Sequence, residues 1–165
     1  MTKRRFMQIL LTAACLLILV GAVLGVWVTS TDGERNVIDV RLRRGETETL
    51  RFEELSLIPG GSSEYVVALS RGGANSYRLN IAFKEIGSNN KLGSFARMRV
   101  EVNGEEICDQ LLGTLIKSEG LSLPVDFAKS SEVELRFVCY LPLEIGNEAQ
   151  NATADFEILL SASNE

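Results

Sequence analysis

The side chains able to do chemistry in this chain are carboxylates, serines, tyrosines and a few cysteines, and histidine is absent from all 165 residues. Without an imidazole there is no His-based triad, no HExxH zinc site and no ordinary acid–base group near neutrality. Glu105, Glu106 and Asp109 cluster beside Asn103-Gly104. Calcium takes six or more oxygens from a shaped loop, and EF-hand spacing is missing, so these acids read as a solvated turn. Glu53 and Glu54 are adjacent carboxylates, but neighbours in a strand point to opposite faces. The serines lack an obvious base, and nothing points to a Ser–Lys pair. Asn151-Ala152-Thr153 fits a glycosylation sequon, which matters only in a eukaryotic secretory route. Tyr65, Tyr77 and Phe83 read as core residues, not as a sugar-stacking platform. The expectation is no catalytic residue, no metal and no cofactor: not an enzyme.

The elements that carry these residues begin with a leader. Lys3, Arg4 and Arg5 precede 20 uncharged residues, Ile9 to Val28. As a helix rising about 1.5 Å per residue, such a run is roughly 30 Å long, matching the hydrocarbon core of a bilayer. The basic start holds that end in the cytoplasm, so the rest is exported. Two fates are open. A signal peptide has a shorter apolar core and small residues at the cut; here the exit offers cleavage at Thr29 or Ser30, without an Ala-x-Ala. A retained signal anchor is the other fate. Cys15 reads as a small hydrophobe inside the membrane. Residues 1–32 are therefore a signal peptide or signal-anchor helix, and residues 33–165 one ectodomain.

The chain has 17 basic and 22 acidic residues. Setting aside the three basic residues of the leader leaves 14 against 22, an acidic surface that argues against nucleic acid. Cys108 and Cys139 lie outside the leader. Export permits a disulfide between them, whose loop-closure effect is roughly 3–4 kcal/mol. Two cysteines do not make a disulfide framework, so buried free thiols are the expectation and the Cys108–Cys139 bond the alternative.

Beyond Gly33 the hydrophobic period is two. Ile38, Val40 and Leu42 alternate with Asp39, Arg41 and Arg43. Leu50 and Phe52, then Tyr65, Val67 and Leu69, then Tyr77 to Phe83 repeat the pattern. Pro59-Gly60-Gly61 predicts a tight turn, and Asn103-Gly104 a two-residue hairpin. Val133 to Cys139 and Ala154 to Ala162 are further alternating runs. Leu111 to Lys117 is ambiguous between a helical turn and a loop, and Ser118 to Ser131, with Pro124 inside, reads as irregular. Seven to nine short strands, each with one apolar face, predict an all-β antiparallel sandwich or jelly roll behind the hydrophobic N-terminal helix.

Three blocks resemble the TasA/camelysin family of exported bacterial proteins, whose leaders are cut by a SipW-type signal peptidase. The first is the leader exit, Gly25 to Asp32. The second is Leu55 to Tyr65, with Pro59 and Gly60 matching a Leu-x-Pro-Gly-Asp turn. The third is Asn147 to Ile158, with Asn147 and Gln150 similar to a closing Asn-x-x-Gln-Gly. The chain departs from the family at Val28 and Thr29, at Gly61, at Asn151 and at Ser163-Asn164. The resemblance implies an exported subunit of, or accessory to, extracellular matrix fibres, joined by β-strand addition. Ile38, Val40 and Leu42 would then form the donor strand. It also implies as partners the membrane, a signal peptidase and other matrix subunits, at the bacterial cell surface. A membrane-anchored module binding a glycan or a surface protein is the alternative. Some relatives are labelled metallopeptidases, a role for which this chain has no zinc-binding motif.

Overall fold

A computed structural model describes residues 36–43, 45–72, 75–87, 90–127 and 130–163. The leader residues Ile9 to Val28 and the cleavage positions Thr29 and Ser30 lie outside the described residues. Nine strands are described: β1 (Asn36–Leu42), β2 (Thr47–Ser56), β3 (Ser62–Arg71), β4 (Ser76–Glu85), β5 (Arg97–Val102), β6 (Glu105–Leu111), β7 (Leu121–Asp126), β8 (Glu132–Tyr140) and β9 (Thr153–Ser163). A short helix, α1 (Leu112–Lys117), joins β6 to β7. The strands form two sheets, ordered β1-β3-β8-β5-β6 and β2-β9-β4-β7. The fold is an all-β sandwich.

The alternating apolar residues explain why two sheets face each other. Val67, Leu69, Leu135, Phe137, Met98 and Val100 of one sheet meet Leu79, Ile81, Phe156, Ile158 and Leu160 of the other, all at most 1% exposed. At about 25 cal/mol per Å2 of apolar surface removed from water, this slab is the main stabilising term. Phe52 stacks on Phe156 at 4.6 Å and meets the edge of Tyr65 at 4.4 Å. Tyr77 and Phe83 are core residues, as expected.

Most connections cross from one sheet to the other, so the loops gather at two ends. The β2–β3, β4–β5, β6–β7 and β8–β9 connections lie at one end. Asn36, the start of β1, is near that end, because it pairs with Tyr65, three residues into β3. The β1–β2, β3–β4, β5–β6 and β7–β8 connections lie at the other. The β5–β6 hairpin turns on Asn103 and Gly104, both at positive φ. The Asn103 side-chain oxygen also accepts a 2.9 Å bond from the Glu134 N–H.

Four features depart from the sequence reading. The first is that the sandwich is not wholly antiparallel. β1 runs parallel to β3, because the one strand between them in sequence, β2, belongs to the opposite sheet. Second, the segment read as irregular contains β7, with Pro124 inside it. β7 is an edge strand paired only with β4, the place where a residue without an N–H is tolerated. Third, Leu111 ends β6 and the residues after it form α1, where Gly113 lies so close to the Gly93 carbonyl that a Cβ would be 2.9 Å from it. Fourth, Glu53 and Glu54 sit in a β-bulge. Phe52 pairs with Phe156 and Leu55 with Ala154, so both glutamates oppose Asp155 alone, and strict alternation of faces breaks there. Glu54 takes φ 53° and its N–H donates to Asp155 Oδ1 at 2.7 Å.

Candidate functional site

Two parts of the surface carry the residues singled out by the sequence. The first is the edge at β1. Val40 and Leu42 are 5% and 2% exposed, while Ile38 is 37% exposed. Seven consecutive residues pair with β3 in unbroken register, from Asn36 with Tyr65 to Leu42 with Arg71. On its other side β1 has no strand neighbour among the described residues. Exposed strand edges invite pairing with another chain, and proteins blunt them with prolines, bulges or charges. Here the other three edges are blunted: β7 by Pro124, β2 by its bulge, and β6 by a register shift opposite Val100–Glu101. β1 carries neither proline nor bulge, and its charges are the exposed Asp39 and Arg41.

The hinge beside β1 is short. Arg43 to Glu46 connects it to β2 in the opposite sheet. The Glu46 N–H donates to the Arg43 carbonyl at 3.0 Å, Gly45 takes φ 81°, and the Arg43 N–H donates to Glu46 Oε2 at 2.9 Å. Gly72 closes the same end of the pair: a Cβ there would be 2.2 Å from the Leu42 carbonyl oxygen.

The second part is the loop end that holds the family-like motifs. Pro59 and Gly60 are the central residues of a type II turn. The Gly61 N–H donates to the Ile58 carbonyl at 2.8 Å, and Gly60 takes φ 77°. The turn is tied to the β8–β9 loop, with the Gly60 N–H on the Leu141 carbonyl at 2.8 Å and the Leu141 N–H on the Gly61 carbonyl at 3.0 Å. Asn147 begins a 3-10 turn whose closing bond runs from the Gln150 N–H to the Asn147 carbonyl, at 3.0 Å. A groove of about 330 Å3 lies between these loops, lined by Ile58, Pro59, Asn147 and Gln150 among others. The motifs at Pro59-Gly60 and Asn147-Gln150, some 90 residues apart in sequence, thus share one surface. Sequence reasoning missed its apolar rim: Ile58 and Leu143 are 76% and 75% exposed.

The remaining candidates fall elsewhere. Asp109 does not face a solvated turn with Glu105 and Glu106, which are exposed; it is bound into the outer face of the first sheet. Arg97 Nε and the Tyr140 hydroxyl donate to its two oxygens at 2.8 and 2.7 Å. Burial opposes its ionisation, but the bonds from Tyr140 and Arg97, together with the charges of Arg97 and Arg99, hold its carboxyl below the ordinary range. Cys108 and Cys139 are free and buried. Cys108 pairs with Val100 and Cys139 with Met98, so β5 runs between them. Two strand spacings are about 10 Å, beyond the reach of a disulfide. Burial pushes the Cys139 thiol up to about 12. Burial, then Asp109 and Glu106, raise Cys108. Neither thiol is an activated nucleophile. Among the described residues, no group of three or more His, Cys, Asp or Glu is placed to hold a metal, and no helix is long and apolar enough to cross a membrane.

No protein-family model matches the chain, and no curated protein matches it. Among solved structures it is similar to the CUB1-EGF-CUB2 domains of rat MASP-1, at 10% identity and a TM-score of 0.41, covering 77% of this chain and 42% of that one. It is similar to the full extracellular region of zebrafish Gpr126/Adgrg6, at 12% identity and a TM-score of 0.37, covering 81% and 15%. The chain spans less than half the length of either. It is also similar to PliG of Aeromonas hydrophila, a periplasmic inhibitor of g-type lysozyme, at 12% identity and a TM-score of 0.37, covering 78% and 99%.

Proposed function

We propose that this chain is a non-enzymatic structural protein of the bacterial cell surface, a matrix or fibre subunit or accessory that assembles by β-strand addition. The observation that carries the reading is the place of β1. Strands β2 to β9 alone make two four-stranded sheets, β2-β9-β4-β7 and β3-β8-β5-β6. That is the strand order of a complete eight-stranded jelly roll. β1 is an addition to it, held by one neighbour and joined by a four-residue hinge. A second copy's β1 placed on β3 would remake every bond and bury the same Val40 and Leu42, so exchange costs little beyond the hinge. An edge without proline or bulge and the resemblance to the TasA/camelysin family support the same reading.

The test is assembly of the exported chain. Mass spectrometry of the mature protein from outside the cell is expected to place its N terminus near Ser30 or Thr31. Concentrating it is expected to give polymers by light scattering and electron microscopy. A synthetic peptide of residues 36–43 in excess is expected to cap them. A chain that stays monomeric and ignores the peptide overturns strand addition.

The alternative, a membrane-anchored binding module, is favoured by one observation, the groove between the Ile58 and Asn147 loops. Recovery of the chain only in membranes, with Met1 to Val28 intact, is the result that selects it.

A further inference from the structure

We infer that the outer edge of β1 recognises itself: two copies join there, antiparallel about a twofold axis at Val40, and their five-stranded sheets become one continuous sheet. This rests on the exported form of the reading above, with the leader removed, and uses the edge of β1 that strand exchange leaves free.

A strand edge pairs with its own copy when geometry and charge agree. The face of β1 towards the core carries Ile38, Val40 and Leu42, with Ile38 level with Val67 and Val40 with Leu69 of β3. Its solvent face carries Val37, Asp39 and Arg41, all exposed. Asp39 and Arg41 lie beside Ala68 and Ser70, which carry no charge, and neither has an ion-pair partner among the described residues. Two copies laid edge to edge with both cores on the same side of the joint sheet must run antiparallel about a twofold axis. Core-side residues must then face core-side residues, because a slip of one residue turns them out to solvent.

Charge picks one of the registers that remain. With Val40 facing Val40 of the second copy, Asp39 faces Arg41 and Arg41 faces Asp39, two cross-strand pairs of opposite sign. Moved one residue either way along the strand, the axis sets Asp39 against Asp39 or Arg41 against Arg41. Like charges directly opposite destabilise a sheet. The Val40 register also covers the two exposed aliphatic side chains of the strand. Ile38, 37% exposed, meets Leu42 of the second copy on the core face, and Val37, 57% exposed, meets the aliphatic stem of Arg43. The charges that keep foreign edges away thus select a second copy of this one.

Association of the exported chain is measured by sedimentation at low salt. The parent is expected to form a dimer. D39R and R41D are each expected to weaken it at least about tenfold, and the double swap D39R/R41D to restore it. D39R mixed with R41D is expected to dimerise where each alone does not. Both side chains are exposed, so every variant is expected to melt with the parent. For the register, D39C mixed with R41C is expected to cross-link under mild oxidant faster than either alone, while Cys108 and Cys139 stay buried. A parent no more associated than D39R overturns the edge pairing, and so does cross-linking of D39C with itself as fast as with R41C. Polymers of parent and D39R alike, capped by the 36–43 peptide, overturn the edge pairing and leave exchange standing. Charge-sensitive dimers that never grow past two copies uphold the edge and overturn exchange.

Discussion

Tyr140, on β8, reaches over β5 and donates a 2.7 Å hydrogen bond to Asp109 on β6. Arg97, on the strand between, donates to Asp109 Oδ1 at 2.8 Å through Nε and to its backbone carbonyl at 2.8 Å through Nη2. Arg99 lies 5.3 Å from the Tyr140 ring centroid and 3.5 Å from Asp109 Oδ2. Three strands of the solvent-facing side are thus clamped by one carboxylate.

Asp109→Asn is expected to lower stability by about 1–2 kcal/mol at neutral pH, the low end for bonds to a charge because Arg97 and Arg99 are more than a third exposed. Its carboxyl is held below the ordinary range in the fold. Its contribution is therefore present above about pH 4 and lost as the pH falls through the lowered value. Urea unfolding of the parent and D109N at a series of pH values checks this. The two curves are expected to converge in acid, and parallel curves would count against the clamp.

Tyr77 is 1% exposed, its ring lies 5.5 Å from that of Phe127, and its hydroxyl has no hydrogen-bond partner among the described residues. Burying an unpaired hydroxyl is costly. Tyr77→Phe is expected to raise stability by about 1 kcal/mol. Burial also pushes the Tyr77 pKa up to about 12, against an unfolded value near 10. The folded state keeps a proton that the unfolded chain releases, so stability is lost as pH rises from 10 towards 12. In thermal melts Y77F is expected to lose less over that window. Cys108 and Cys139 retain their own alkaline contribution, so the slope will not vanish.

The thiols give a check on the core. Native Cys108 and Cys139 are expected to react with iodoacetamide at least about 100-fold more slowly than in urea, because both thiolates are disfavoured and access needs opening. Peptide mapping separates them from Cys15. Comparable native and denatured rates at either residue would contradict its placement.

Much of this fold is written in alternation. Val133 to Cys139 and Ala154 to Ala162 show one apolar face each, and both are strands with that face buried. Asn103-Gly104 dictates its own turn, because both residues accept positive φ. What failed to show is what partners decide. Pro124 looks like a strand breaker until β7 proves to be an edge. Glu53 and Glu54 alternate on paper, but the register of β9 forces both against Asp155. The parallel pairing of β1 depends on β2 crossing to the other sheet, which no local pattern records. In the candidate site, Pro59-Gly60 announced its turn. The exposure of Ile58 and Leu143 did not, since an aliphatic residue beside a turn reads the same whether it packs inward or stands in solvent.

Gly72 offers the most direct hold on the β1 edge. It lies just past β3, and a Cβ there would meet the Leu42 carbonyl oxygen at 2.2 Å, the Leu42 carbonyl carbon at 2.7 Å and the Arg43 nitrogen at 3.0 Å. All three are backbone atoms, so no side-chain rotation relieves the clash. Gly72→Ala must lift the C-terminal end of β1 off β3, at a stability loss of about 1–3 kcal/mol. The loss is expected to be local. Amide exchange at Val40 and Leu42 should accelerate, while the β4–β9 and β5–β8 ladders keep their protection. Under the strand-addition reading, a second copy's β1 laid on β3 in the same register meets the same clash, so sedimentation is expected to show no more dimer or higher oligomer in G72A than in the parent. Loosening of β1 together with a marked rise in assembly would mean that copies join through a surface or register other than β1 on β3.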